Sequence, residues 1–385
     1  MKRRRKVLYV DTGIGLAGGQ LSLVELLKCS DTSRVEPFVC TPYRSGVRKE
    51  CERLGVEWRP LCFESEYGLS GAFARAVWKC ADVVKSALGA LGLVRLIVAL
   101  KIDIVHTNNF KAALVAAPAC ALTGRPMVFH DRIHITHGVL GRLVANRADR
   151  IIAVSETVAG KFGGRYAGKL QVIPPGVDVS RFEPGRDRGG DNLVCYAGRI
   201  SEEKGLMSLV ECAPAVLDRV AEARFLIAGE PWTNRDSVYL SDLRRRIRET
   251  GLERKFEFRG YVEDVAGLIR QSDVLVLPSI KEPLGRVMIE AMLLEKPVVA
   301  FDAGGPSEVI EHGRTGYLAR PGDAASLADC IILLLRDARL REEVGREARK
   351  SVVHRFSNRV VAERVMDVYD DVFADMKRST AGGSR

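Results

Sequence analysis

Two series of short apolar runs, each alternating with helical patterns, constrain this chain more than any other feature. The first series is Val7–Val10, Phe38–Thr41, Ile104–His106, Met127–His130, Ile151–Val154 and Gln171–Ile173. Each run is too short for a helix and apolar at consecutive positions, as expected of parallel strands covered on both faces. Strands that alternate with helical patterns build a parallel sheet with crossover helices. Pro174-Pro175-Gly176 breaks the pattern, and Arg186–Asp191, rich in glycine and charge, is the best linker in the chain. A second series then runs through Leu193–Ala197, Arg224–Ala228, Phe256–Arg259, Val274–Leu277 and Pro297–Phe301. A chain of 385 residues exceeds what one core usually holds. The expectation is an α/β protein of two doubly wound domains, residues 1–178 and 179–358, facing each other. Phe356-Ser357-Asn358 interrupts two helical patterns, and Val360–Met376 carries apolar residues at helical spacing. The Ser-Thr-Ala-Gly-Gly-Ser tail reads as disordered.

The stretch Leu277–Asp323 carries the densest chemistry. Val274–Leu277 ends in Pro278, so that strand leaves the sheet at its carboxyl end, and Gly285–Leu294 reads as a helix starting at the same edge. Backbone N–H groups at a helix start favour phosphate oxygens, which makes Leu284, Gly285, Arg286 and Val287 an anion seat. Glu282 lies in the loop just before this helix, and Glu290 lies inside it. Carboxylates on either side of a phosphate seat suit a ligand with hydroxyls at both ends, the layout of a nucleotide-sugar. Tyr196–Gly205 leaves a strand with Arg199 and Lys204 on one loop. A planar guanidinium fork and a compact ammonium together suit a diphosphate leaving group that gains negative charge. The bland alternative is an ordinary ion pair of either cation with Glu202 or Glu203.

Gly13-Ile14-Gly15-Leu16-Ala17-Gly18 matches G-x-G-x-x-G after a strand, the pattern of a dinucleotide site. An NAD reading also requires an acid at the end of the second strand. That strand ends Val39-Cys40-Thr41-Pro42, with Glu36 before it rather than after it. The better reading is a glycine-rich loop and helix start, Gly18-Gly19-Gln20, that approaches a phosphate. His130, His134 and His137 have spacings that would suit a metal on one helix face, but they fall in a loop after a strand with no thiol near. His106 also ends a strand, and both an acceptor-side role and a satisfied buried histidine fit it. No Asp-x-Asp occurs in the chain.

These motifs, EPLGRVMIEAM followed by KPVVA, GGPSEVI, TGYL and PGD, closely resemble those of the family 4 retaining glycosyltransferases, which have the GT-B fold. The resemblance implies two Rossmann-like domains across a cleft, with a final helix, 359–377, crossing back onto the first. It implies that a hexosyl group passes from a UDP- or GDP-sugar to the hydroxyl of a carbohydrate or lipid-linked acceptor, in glycan, lipopolysaccharide or glycolipid synthesis. Glu290 would hold the ribose and Glu282 the sugar's outer hydroxyls, with Arg199 and Lys204 on the diphosphate and His130 reaching the sugar. Gly18 and Gly19 match the family's Gly-Gly loop, and the Phe258–Val262 turn, with Arg259 and Val262, would border the nucleobase through backbone groups. No cofactor and no metal are implied, since Arg199 and Lys204 stand where metal-dependent enzymes of the other major fold use a cation. Leu284 stands where many relatives carry an aromatic residue, and Leu21 where an acid is often found. The alternatives are a catalytically silent nucleotide-sugar-binding subunit and, further off, an NAD-dependent oxidoreductase.

Composition narrows the partners. The chain is 46% apolar and 28% charged, as in a soluble globular protein, and carries a net charge of +10. Part of that charge is Lys2-Arg3-Arg4-Arg5-Lys6, which reads either as a solvated terminus or as an attraction to anionic lipid. No basic stripe interleaved with aromatics points to nucleic acid. Ala87–Leu100 is interrupted by Arg95 and is too short to span a membrane, so with Ala72–Lys85 it reads as a packed helix or a lipid-facing surface. Nine cysteines without a Cys-x-x-Cys pair read as reduced core residues. The expected location is the cytoplasm, with peripheral contact to the membrane left open. The first-domain loops Gly46–Lys49 and Tyr67–Gly71, which would choose the acceptor, carry no recognisable code.

Overall fold

A computed structural model of the chain describes residues 4–61, 72–185 and 191–382, with the backbone alone at 72–84 and 379–382. Tyr67–Gly71, the linker residues before Asp191, Lys2, Arg3, Cys62 and the end of the tail lie outside the described residues. The chain divides into two compact units, 1–176 with 358–385, and 177–357.

In the first unit, seven parallel strands are β1 (Arg5–Val10), β2 (Val35–Thr41), β3 (Glu57–Pro60), β4 (Ile104–Thr107), β5 (Met127–Asp131), β6 (Arg150–Ala153) and β7 (Leu170–Val172). Their order is β3-β2-β1-β4-β5-β6-β7. Side chains alternate between the two faces of a strand, so one apolar run supplies two cores. Leu8 and Val10 pack with Phe38, Val105 and Phe129 on one face. Val7 and Tyr9 pack with Val39, Ile104 and Val128 on the other. The strand β3, absent from the sequence expectation, lies at the sheet edge, where exposed Glu57 and Arg59 leave no apolar run to read.

Helix Ala72–Leu100 packs Leu93 and Ile97 into this unit's core and leaves Leu88, Leu91 and Val98 exposed. No helix of the described residues is long and apolar enough to cross a membrane. The last helix, Asn358–Gly382, packs Val361, Val365, Tyr369 and Val372 against Leu23 and Leu27 of helix Gly18–Cys29. Ionic contacts clamp it: Asp370 accepts from both Arg5 and Arg34, and Asp375 from Arg150. Arg5 also lies over the Phe373 ring at 4.2 Å, so part of the basic start of the chain is engaged in packing.

In the second unit, six parallel strands are β8 (Leu193–Ala197), β9 (Arg224–Ala228), β10 (Phe256–Gly260), β11 (Val274–Leu277), β12 (Val298–Phe301) and β13 (Tyr317–Ala319), ordered β10-β9-β8-β11-β12-β13. The three-residue β13 is the second strand that the apolar pattern does not announce. Tyr196, Phe225, Val276 and Phe301 fill one face, and Cys195, Leu275, Leu277 and Ala300 fill the other. The seven cysteines whose side chains are described form no disulfide with one another, and burial pushes the thiols of Cys51, Cys120, Cys195 and Cys212 up to about 12. In both sheets the strand order reverses direction at one place, between β1 and β4 and between β8 and β11. Loops leaving the carboxyl ends of strands beside such a switch point splay apart, and ligands bind in the crevice they leave.

Candidate active site

In the first unit the loops at the switch point are tied to one carboxylate. Asp11, fully buried at the end of β1, accepts from the Gly13 amide at 2.6 Å and from Gln20 Nε2 at 3.0 Å on one oxygen. Its other oxygen accepts from Asn108 Nδ2 at 2.6 Å and Asn109 Nδ2 at 3.1 Å. Five neutral contacts of this kind hold a buried charge without a counter-ion. A Cβ at Gly13 would fall 2.2 Å from Gln20 Nε2, so a side chain there would displace the Gln20 amide from Asp11. Gly18 and Gly19 open the following helix, and no side chain caps it. Asn108 also donates to the Gly19 carbonyl at 3.1 Å and accepts from Arg132 Nε at 2.9 Å.

That arginine leads to His130, at the end of β5. Its Nδ1 lies 3.2 Å from His106 Nε2 and 3.3 Å from Arg132. His106 Nδ1 in turn lies 2.7 Å from the Tyr369 hydroxyl, on the last helix. Burial, then the charge of Arg132, pushes His106 down to about 3, and the same causes with His106 added hold His130 well below the ordinary histidine value. Both rings are therefore neutral at physiological pH. His130 is 2% exposed, and its Nε2 is buried with no hydrogen-bond partner. The other two histidines go elsewhere: His134 is exposed, and His137 stacks on Phe110 at 3.5 Å. Among the described residues no three metal-binding side chains gather.

In the second unit the loops after β8, β9, β11 and β12 close on one another through glycines. A Cβ at Gly205 would lie 1.9 Å from the Pro278 carbonyl, and one at Gly305 would lie 2.1 Å from Leu284 Cα. This close approach brings Lys204, after β8, to Glu282, after β11, at 2.7 Å. Glu282 is 7% exposed, and its backbone carbonyl anchors the turn further by accepting from the Gly305 amide at 2.9 Å. The helix begins at Arg286 with Gly285 as its cap at φ 94°, a conformation that glycine alone adopts cheaply. Leu284 and Val287 point into the core, so only their backbone belongs to the strand-end surface. Arg286 Nε donates to Glu290 at 2.8 Å, one helical turn on. Two cation–carboxylate pairs thus involve the segment from Glu282 to Glu290.

Arg199 pairs with Glu203, as the bland alternative anticipated, and its guanidinium also lies 5.2 Å from the Trp232 ring. Lys204 does not pair with Glu202 or Glu203. Arg259 is exposed on the edge strand β10 beside Glu257, outside this cluster, and Val262 follows in the next turn. A cleft of about 320 Å³ at the ends of β8, β9 and β10 is lined by Ile200, Glu230, Arg244 and Phe258. A larger hollow of about 420 Å³ lies beside Arg219 and Arg336 on the helix side, away from every strand end, and holds none of this chemistry. Sequence reasoning passed over Asp11, Asn108, Arg132 and Tyr369, and also Ser201 and Ser279, whose hydroxyls are buried without partners. Asp11, Asn108 and Ser279 lie just past strands that flank a switch point, which is the signal that would have found them, whereas Arg132 follows β5 and Ser201 lies further along the loop after β8.

Comparisons with known proteins give the family. The chain matches the model for Glycosyltransferase Family 4 over residues 17–181 and the model for Glycosyl transferases group 1 over residues 180–351. It is 30% identical over 187 residues to the N-acetyl-alpha-D-glucosaminyl L-malate synthase of Bacillus anthracis, covering 49% of this chain and 47% of that one. The chain thus spans about half the length of that relative. An uncharacterized glycosyltransferase of Methanocaldococcus jannaschii is 33% identical over 322 residues, covering 75% of this chain and 79% of that protein. The crystal structure of Anabaena HepE in complex with UDP and glucose aligns at a TM-score of 0.79 and 25% identity, over 95% of this chain and 100% of that one. With this fold, these motifs and these relatives, the chain belongs to the family 4 glycosyltransferases of the GT-B fold.

Proposed function

We propose that the chain is a retaining glycosyltransferase that moves a hexosyl group from a UDP- or GDP-sugar to the hydroxyl of a carbohydrate or lipid-linked acceptor. The observation that carries this reading is the pair of contacts Lys204–Glu282 and Arg286–Glu290 on the segment from Glu282 to Glu290 beside the β8/β11 switch point. An incoming diphosphate competes with Glu282 for Lys204 and frees that carboxylate for sugar hydroxyls. Glu290 takes the ribose hydroxyls, and the backbone of Leu284, Gly285, Arg286 and Val287 faces the phosphates. The backbone at Arg259 and Val262 borders the base beside the 320 Å³ cleft. In the first unit, Gly18 and Gly19 approach the phosphate and His130 reaches the sugar.

In the reaction the bond between the anomeric carbon and the diphosphate oxygen breaks, and a bond from that carbon to the acceptor oxygen forms. The proton of the acceptor hydroxyl passes to the departing phosphate oxygen on the same face, which retains configuration. Arg199 and Lys204 stabilise the charge that grows on the diphosphate, the kind of preorganised electrostatic effect that dominates many enzymic steps. They supply this positive charge without a metal ion. The crystallised binding of UDP and glucose by HepE supports the donor class.

The test is transfer from a panel of nucleotide-sugars, with the product anomer read by NMR and a strong chelator present. Transfer with the donor's anomer kept is expected. Donor binding without transfer across the acceptor panel would identify a silent binding subunit, and activity restored only by Mn²⁺ would refute metal independence. Glu290→Ala should weaken donor binding, because a hydrogen bond to a charged group contributes about 1.5–3 kcal/mol. Wild-type affinity in that variant would remove Glu290 from the site.

A further inference from the structure

We infer that Tyr369 and His106 fix His130 as the tautomer carrying its proton on Nε2, so that His130 presents a hydrogen-bond donor, not an acid or a base, to an oxygen of the donor sugar. The inference rests on the reading of His130 as a sugar contact and adds the device that sets its chemistry. It makes the last helix, through Tyr369, a positioning element of the site.

Arg132 has only donors, so the His130 Nδ1 that lies 3.3 Å from it accepts. An accepting Nδ1 carries no proton, and the hydrogen bond across 3.2 Å to His106 Nε2 then requires the proton to sit on His106. A neutral His106 with its proton on Nε2 leaves its Nδ1 as an acceptor, which the Tyr369 hydroxyl fills as donor at 2.7 Å. The Tyr9 hydroxyl lies 3.2 Å from that of Tyr369, on the far side of the relay. The reverse set of tautomers would aim a His130 N–H at the Arg132 N–H groups.

The links from Tyr369 through His106 to His130 therefore point the same way, and the neutral His130 keeps its single proton on Nε2. That nitrogen is buried and has no protein partner. An orphaned buried donor is rare in folded proteins and marks the place where a ligand acceptor belongs. A hydroxyl oxygen of the sugar is such an acceptor. The charged and titratable groups around the pair are Arg132 from its own loop, Tyr369 from the last helix and Tyr9 from β1, with Asp11 one residue further through Asn108.

The tautomer is read directly from long-range proton–nitrogen correlations of ring-labelled histidine in the full chain, with His130→Asn used for assignment. A proton on Nε2 of His130 is expected, and a proton on Nδ1 would overturn the relay. Kinetics with UDP-glucose and GDP-mannose as probes test its use. Tyr369→Phe and His106→Leu should each lower kcat/KM for the donor on the order of tenfold, the worth of one hydrogen bond. His106→Gln should recover most of that loss, because its amide nitrogen stands where Nε2 stood. Equal losses in His106→Leu and His106→Gln, tracking melting temperature, would overturn positioning in favour of a purely structural role. Normal donor kinetics in His130→Ala would overturn the sugar contact itself, whatever the spectrum shows of the tautomer.

Discussion

At the strand ends of the first unit the polar groups are mostly neutral and fixed, whereas at those of the second they are charged and paired. Asp11 is held by amides alone, and His106 and His130 are neutral rings in a chain of short-range hydrogen bonds. Lys204–Glu282, Arg286–Glu290 and Arg199–Glu203 are ion pairs whose members can exchange partners. Neutral networks give direction: once every donor has one acceptor, only one arrangement remains. Ion pairs give response, because a charged ligand competes for either member. On the proposed reading, the first edge orients the ligand and the second receives its charge.

The sharpest way to break this contrast is at Lys204. Lys204→Ala should lower turnover on the order of 10²–10³, the usual effect of losing one contact to developing charge. It should also cost about 1–3 kcal/mol of stability, because it strands the largely buried Glu282 carboxylate. The double variant with Glu282→Ala should recover that stability and none of the activity. Paired melting curves and single-turnover rates measure both. An unchanged melting temperature in Lys204→Ala would mean that the pair is not a structural partnership.

Arg199→Ala sharpens the comparison by separating the two effects. Its pair with Glu203 is partly exposed, so the change in stability should stay within ~0.5 kcal/mol. The loss in rate should still be on the order of 10². A variant that turns over normally would leave Arg199 with surface pairing and Trp232 as its whole role.

Acidification gives the smallest effect and acts on the first unit. The folded values of His106, at about 3, and of His130 lie below the ordinary 6.5. The unfolded chain therefore binds more protons as pH falls, and the stability these rings contribute is full above 6.5 and declines below it. His106 sets a slope of up to ~1.4 kcal/mol per pH unit between 6.5 and about 3, and His130 acts in the same direction. Urea titrations at pH 7.5 and pH 5.5 should show that His106→Gln flattens this dependence. An identical slope in the variant would mean that His106 titrates freely in the fold.

How far these features were legible depends on where the information lies along the chain. Buried central strands such as Val7–Val10 and Val274–Leu277 announce themselves because both faces are covered. The edge strand Glu57–Pro60 and the short Tyr317–Ala319 do not, since their pairing is set by a neighbour rather than by their own pattern. Glu282, Glu290, Arg199 and Lys204 stand out because each leaves a readable strand or enters a readable helix. What these residues touch is another matter. Lys204 meets Glu282 only because β11 lies beside β8, a fact of strand order that no local motif states. His130 shows itself as a strand end, but its partner Tyr369 sits on a helix with nothing in its own surroundings to mark it.

The last helix has a consequence in time as well as in space. Arg5 is separated from Asp370 by 365 positions, and the whole of 177–357 is made between the two parts of the first unit. A ribosome adding residues at roughly 5–20 per second takes on the order of ten to forty seconds over that intervening stretch. During that interval the nascent first unit lacks the helix that covers Tyr9, Leu23 and Leu27, and the second unit is complete only at its end. The usual order, in which the portion made first is finished first, is inverted. A chain stalled before residue 358 would carry a folded second unit and an apolar surface awaiting its cover.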